Sequence, residues 1–348
     1  MKTHLTTIHK AIISLACALF LYLPTLGQQV EQKVYMLPAG AIGKAGQFCD
    51  GELDDLIRYF DGFSYHEAHV MGVHFKDLPK ASSEQMAWLA DPSAEPRAFL
   101  KDSHWEEKEI VLYPSKTPSL LDANQTAIGD CNCISLFAEM AYLYPDFIKH
   151  LIHKESGQCY SVKMFTPQRE RIKVKVSSKV LCGKEGNLLQ VQGKGGKPTW
   201  STILEKALMK WLQVYRGDSE RIGGFGAELM MPIFTGEGRS FSVSPGKVNA
   251  SQLQRIVLSS LTHGLLVNGG FTRSDVPLDH HVTISAHGHT FMKPSAEGAL
   301  FAVRNPWGHG DDNHIMQVVD DGIVPPLIDL RIIGPGIAAK YFHPQKIK

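Results

Sequence analysis

The sequence predicts an α+β fold in two lobes, a helical half followed by a strand-rich half. Three observations predict it. From Cys131 the residues Ile134, Phe137, Ala138, Ala141 and Tyr144 recur at helical spacing, so one face of that segment is buried. From Thr199-Trp200-Ser201 a second segment puts Ile203, Leu204, Ala207, Leu208, Trp211, Leu212 and Tyr215 on one face, with Glu205, Lys206, Lys210 and Gln213 on or beside the other. From Phe241 onward the pattern turns β-like. Helices and strands segregated along a chain indicate an α+β arrangement. A cleft between lobes is a usual place for a site.

The elements follow in order. Lys2, His4, His9 and Lys10 precede an uncharged apolar run from Ala11 to Leu23, then Pro24 and a polar Gln28-Gln29. That is the pattern of a secretory signal peptide over residues 1–27, which predicts an exported protein, secreted or periplasmic. No later segment is apolar over the length a bilayer span requires. Residues 28–118 read as an N-terminal extension or accessory, pro-like region, with short helices over Asp54–Phe60 and Ser82–Ala90. Residues 119–226 form the helical lobe and 227–348 the β-rich lobe. Pro145 suits the first position of a second helix running to His153. Ile172, Val174 and Val176 alternate with Lys173, Lys175 and Ser177, the pattern of a half-exposed strand. Leu181–Lys197, rich in glycine and lysine, reads as a solvated loop. Arg216-Gly217-Asp218 stops the long helix, and Gly223-Gly224-Phe225-Gly226 is a turn. His280–Ala286 and Leu300–Asn305 are strands, and Asp320-Asp321-Gly322 is a turn.

With 36 basic and 35 acidic residues among 348, the chain has no basic bias that would suit nucleic acid or an anionic membrane. After the signal peptide five cysteines remain: Cys49, Cys131, Cys133, Cys159 and Cys182. An odd count in an oxidising compartment leaves one thiol over. If that thiol is Cys131, the other four form two disulfides or none.

Cys131 follows Gly129-Asp130 at the head of a helix, where free N–H groups and the helix dipole favour thiolate. A thiolate attacks carbonyl carbon. Such chemistry also needs a histidine, a group to orient it and a donor for the oxyanion. The sequence offers His280 opening a strand, Asn305 ending the next one, and Gln125 six residues before the cysteine. His281 is the alternative to His280, which is preferred because Val282 and Ile284 then share its face. His287 and His289 are read as surface residues.

Four stretches carry a resemblance. Gln125-Thr-Ala-Ile-Gly-Asp-Cys131 resembles the Q-G-x-x-G-D-C stretch of calpains, the calcium-dependent papain-like cysteine proteases. Trp200-Ser-Thr-Ile-Leu-Glu-Lys-Ala207-Leu-Met-Lys210 resembles W-S-x-L-L-E-K-A-x-x-K. Phe234-Thr-Gly236 resembles F-T-G, and Arg304-Asn-Pro-Trp-Gly308 matches R-N-P-W-G. The resemblance runs from about Leu120 to Gly308 in matching order. It implies a papain-like two-lobe fold and endopeptidase action on protein or peptide substrates. It implies Cys131 as nucleophile, Asn305 as orienter, Gln125 in the oxyanion hole and Trp307 shielding the histidine–asparagine pair. It also implies calcium, with carboxylates at Asp122 and Glu205. Two positions depart from the family: Asn132 stands where tryptophan is usual, and Asp279 precedes the histidine where calpains have glycine. The alternatives are an inactive calpain-like binding module, or a thiol amidase or acyltransferase on the same fold.

Overall fold

The computed structural model describes residues 35–38, 64–67, 69–70, 73–74, 77–236, 239–243, 250–271, 287–308, 315–319 and 327–343. The expected signal peptide, the Asp54–Phe60 helix, the His280–Ala286 strand and the turn at Asp320 lie outside the described residues. Contacts divide the chain into residues 1–33 and residues 34–348, and every described residue belongs to the second unit.

The described helices are α1 (Ser83–Ala90), α2 (Cys131–Leu143), α3 (Pro145–Leu151), α4 (Trp200–Arg216), α5 (Ala227–Thr235) and α6 (Ala250–Thr262). The strands before α4 are β1 (Tyr35–Pro38), β2 (Ser64–Glu67), β3 (His69–Val70), β4 (Val73–His74), β5 (His104–Glu107), β6 (Ile152–Lys154), β7 (Cys159–Phe165), β8 (Arg171–Ser177) and β9 (Lys179–Cys182). After α4 come β10 (Arg239–Val243), β11 (Leu266–Phe271), β12 (His287–Met292), β13 (Phe301–Arg304), β14 (Ile315–Val319) and β15 (Leu327–Ile333). None of the described helices is long and apolar enough to cross a membrane.

The fold is α+β, as the order of patterns predicts. One eight-stranded sheet runs β1-β14-β13-β12-β11-β15-β10-β2, with only the β1–β14 pair parallel. Its outer strands β1 and β2 come from the N-terminal region. A smaller sheet, β6-β7-β8, sits among the helices. Ser82 opens α1 with a capping box closed by Gln85. Pro145 opens α3, which stops at Leu151 because Ile152 leaves in extended conformation to start β6.

Helix α4 departs from its sequence reading. Its polar side does not meet water: Glu205, Lys206 and Lys210 are all buried. The Lys206 ammonium donates to the Ser177 and Lys179 carbonyls and pairs with Glu95 at 2.6 Å. Lys210 donates to the carbonyls of Trp88, Asp91 and Lys175. Burial lowers both ammonium groups to about 8. Their stems cover the helix while their heads satisfy loop carbonyls, so a helix of amphipathic sequence becomes a central one.

Helix α2 is pinned to the large sheet by polar contacts. Thr290 Oγ1 donates to the Ser135 carbonyl at 2.6 Å, Asn268 Nδ2 donates to Ser135 Oγ at 2.7 Å, and the Val267 N–H donates to the buried Glu139 carboxylate. Buried pairings of this kind fix relative position as well as adding stability.

Candidate active site

Asp130 is the N-cap of α2. Its carbonyl accepts from the Cys133 and Ile134 amides at 2.7 and 3.1 Å, but its side chain makes no cap bond. Cys131 is the first helical residue and is 8% exposed. Burial pushes its thiol up. Against that work the backbone N–H of Gly288 first, then those of Asn132 and Cys131 itself, while the nearby Asp130 adds to the rise. Amides that donate to sulfur favour the thiolate form.

Gly288 belongs to β12, which crosses the head of the helix at close range. A Cβ built on it would lie 2.4 Å from Asn132 Oδ1 and 3.1 Å from Asn132 Cα. Asn132, after Cys131, and Gly288, after His287, are therefore one fitted contact.

His287, the residue before Gly288, opens β12 and is 5% exposed. Its Nε2 lies 2.8 Å from Asn305 Oδ1, and its ring sits 4.9 Å from that of Trp307. Asn305 is fully buried, and its Oδ1 also accepts from the Trp307 N–H at 3.0 Å. An acceptor at Nε2 fixes the proton there and leaves Nδ1 with its lone pair. Burial lowers the imidazole, and the Asn305 bond works against that. His289, on the same strand face, is also buried; its ring meets that of His287 edge-on at 5.2 Å and its Nδ1 lies 2.9 Å from the His287 carbonyl. The sequence reading of His287 and His289 as surface residues is thus corrected. All of β12 is buried, so no alternation marked it. His280 and His281 lie outside the described residues.

The Arg304-Asn-Pro-Trp-Gly308 segment does more than present Asn305. Buried Arg304 donates to the Ala123 carbonyl at 3.1 Å and to Asn124 Oδ1 at 2.6 Å. The Pro306 carbonyl accepts the Gln125 N–H at 2.8 Å. Gly308 packs so tightly that a Cβ would fall 1.9 Å from Asn124 Oδ1, and its φ is +40°. The segment therefore holds the loop that carries Gln125. Sequence reading credited it only with Asn305 and Trp307; the missed signal was its arginine, a residue that buries well only when its fork is filled. Gln125 is buried, and its Nε2 donates to the Ile128 carbonyl at 2.8 Å, which turns the amide toward the helix head.

Two hollows adjoin the loop that leads into Cys131. One, of about 730 Å³, is lined by Gln125, Thr126, Leu189 and Trp307. The other, of about 610 Å³, is lined by Gly223, Gly224, Phe225 and Leu229. The Gly224 N–H donates to the Gly129 carbonyl at 3.0 Å, which joins the second hollow to the Gly129-Asp130 turn.

Asp122 and Glu205, the carboxylates expected to hold calcium, each already accept hydrogen bonds from the protein. Asp122 Oδ2 accepts from Trp200 Nε1 and the Ser119 N–H, both at 2.9 Å. Glu205 is fully buried, and its Oε2 accepts from Gln190 Nε2 and the Val191 N–H at 2.9 and 3.1 Å. Glu205 pairs with the Asp130 carboxyl. Burial is the main cause that raises both, Asp130 to about 7 and Glu205 well above its ordinary range. Two carboxyls in contact and away from water hold a proton between them. Calcium asks for six to eight oxygens. Among the described residues no group of three or more His, Cys, Asp or Glu can hold a metal, so calcium enters no step below.

The described cysteines Cys131, Cys133, Cys159 and Cys182 are all free thiols. That removes the arrangement of two disulfides around a free Cys131, which required a bridge between two of the other three.

No curated protein matches the chain. The family model for calpain family cysteine proteases matches residues 96–314, more than half of the chain and a span that holds every residue of the site just described. By its sequence, and in keeping with its α+β fold, the chain belongs to the calpain family of cysteine proteases.

Proposed function

We propose that the chain is an exported thiol endopeptidase that cuts protein or peptide substrates through Cys131, His287 and Asn305. One observation carries this reading. The His287–Asn305 pair sits at the start of the strand whose next amide, that of Gly288, donates to the Cys131 sulfur.

In this reading His287 takes the place that the sequence analysis gave to His280. Its Nε2–H donates to Asn305, and its Nδ1 accepts the proton of the Cys131 thiol. The thiolate attacks the scissile carbonyl carbon and a C–S bond forms. The oxyanion is held by the Cys131 N–H and by the second N–H of the Gln125 amide, groups fixed before substrate arrives. The imidazolium then protonates the leaving amine as the C–N bond breaks, which leaves a thioester. Water, deprotonated by His287, attacks the thioester and releases the acid and the thiol. Trp307 covers the histidine–asparagine bond and limits competition from water. The substrate lies along the two hollows that adjoin the loop before Cys131.

The test is labelling with an irreversible epoxysuccinyl peptide followed by mapping of the adduct. Cys131 is expected to carry it, and His287→Ala is expected to abolish it. Retention in His287→Ala with loss in His280→Ala would move the histidine role back to His280. Peptide hydrolysis is expected to fall at least about a thousandfold in Cys131→Ala. Sequencing of the exported protein is expected to start near Gln28.

A further inference from the structure

A third cavity, of about 410 Å³, lies among α3, β7, β8, α5 and the 3₁₀ turn Gly336–Tyr341, and shares no lining residue with either hollow. Its size is that of a small-ligand site, which spans about 300–1,000 Å³. Leu151, Phe165, Phe234 and Ile337 give it an apolar floor, and the first three of these are buried. Lys163, Arg171, Lys173, Lys340 and His150 line it as well, and no carboxylate does.

The placement of these cations runs against the ordinary rule for sheets. Lys163 and Lys173 are directly opposed across the β7–β8 ladder, and Arg171 opposes Phe165 two positions along, on the same face. Like charges directly opposed destabilise a strand pair. Neither lysine has a carboxylate within ion-pair distance among the described residues, although Lys173 is near enough to Glu155 to help lower its carboxyl; Lys163 Nζ lies 3.3 Å from His150 Nε2. Burial lowers the His150 imidazole, and Lys163, Lys340 and Arg171 lower it further, so three cations from three elements converge on one ring. An anion placed among them would relieve the repulsion, and an apolar tail would cover the floor.

We propose that this cavity binds a single-chain amphiphile with an anionic head, a carboxylate or a phosphate ester. The head sits between Lys163, Lys173 and Arg171, and the chain lies over Phe165 and Ile337.

Titration calorimetry on the purified chain tests this with dodecanoate, dodecyl phosphate and dodecyltrimethylammonium, each below its micellar concentration. At least one anion is expected to bind with one-to-one stoichiometry, and the ammonium is not. Binding of one anion alone identifies the head group as carboxylate or phosphate. In Lys163→Ser/Lys173→Ser the affinity is expected to fall at least tenfold, and in Lys340→Ser by less. These side chains are exposed, so the variants fold; circular dichroism checks this. Equal binding of the cationic amphiphile, no binding of either anion, or unchanged affinity in the double variant would each overturn the proposal.

Discussion

Two buried helices start in opposite ways, and the contrast separates what holds this protein together from what it does. At the start of α4 Thr199 forms a capping box with Thr202, and Thr199 and Ser201 both donate to the Asp122 carbonyl at 2.8 and 2.6 Å. The Trp200 indole adds a bond to the Asp122 carboxylate. At the start of α2 the cap residue Asp130 makes no side-chain cap bond; its carboxyl turns instead to the buried Glu205. A helix N-terminus without a side-chain cap keeps its amides and dipole for whatever arrives, in the proposed mechanism a sulfur anion and an oxyanion. The first start is over-determined and structural. The second is left open, and stability elsewhere compensates for it.

The contrast breaks most sharply at Gly288. Gly288→Ala inserts a methyl against Asn132 and moves β12 from the helix head, so kcat/KM is expected to fall about a hundredfold, the cost of a displacement near 1 Å. Asn132→Gly in the same chain removes the closest atom and is expected to restore part of that loss. Hydrolysis by the alanine variant at the parent rate would mean the contact is incidental.

Thr199→Ala strikes the other helix. It is expected to cost about 1–2 kcal/mol in a urea unfolding curve, with activity per folded molecule unchanged. If activity falls out of proportion to folded protein, the start of α4 is not merely structural.

The smallest effect concerns pH. Asp130 is held up to about 7 against its ordinary 3.8. Between these values the folded chain keeps a proton that the unfolded chain has released, so stability falls as pH rises through that window. Glu205→Gln replaces the partner carboxyl by an amide that donates to Asp130. The urea midpoint is then expected to drop less between pH 5 and pH 8 than in the parent. Parallel pH curves for the two proteins would show that the pair holds no proton.

Much of this was legible in the sequence, and the reasons are local. Cys131 and Gln125 stand six residues apart in one loop and helix start, and Asn305 sits inside a contiguous motif, so short-range pattern is enough to find them. The two helices were legible because apolar periodicity survives whatever surrounds it. The place of His287 beside Asn305 was not. His280 opens an alternating segment and draws the eye, whereas His287-Gly288-His289 lies on a strand buried on both faces, which has no period to read. Histidine is also polar enough to pass for surface until its hydrogen bonds are seen. The lysines of α4 misled in the same way: Lys206 and Lys210 mark a solvated face unless carbonyls from distant loops converge on them, and no single-helix pattern records that.

Arg304 and Asn305 are consecutive, yet one grips the loop before Gln125 and the other grips the imidazole. Both banks of the groove are thus moored to the same short length of chain. Slackening it anywhere loosens the two together, so heating should extinguish catalysis in one step, without an interval in which one bank works alone.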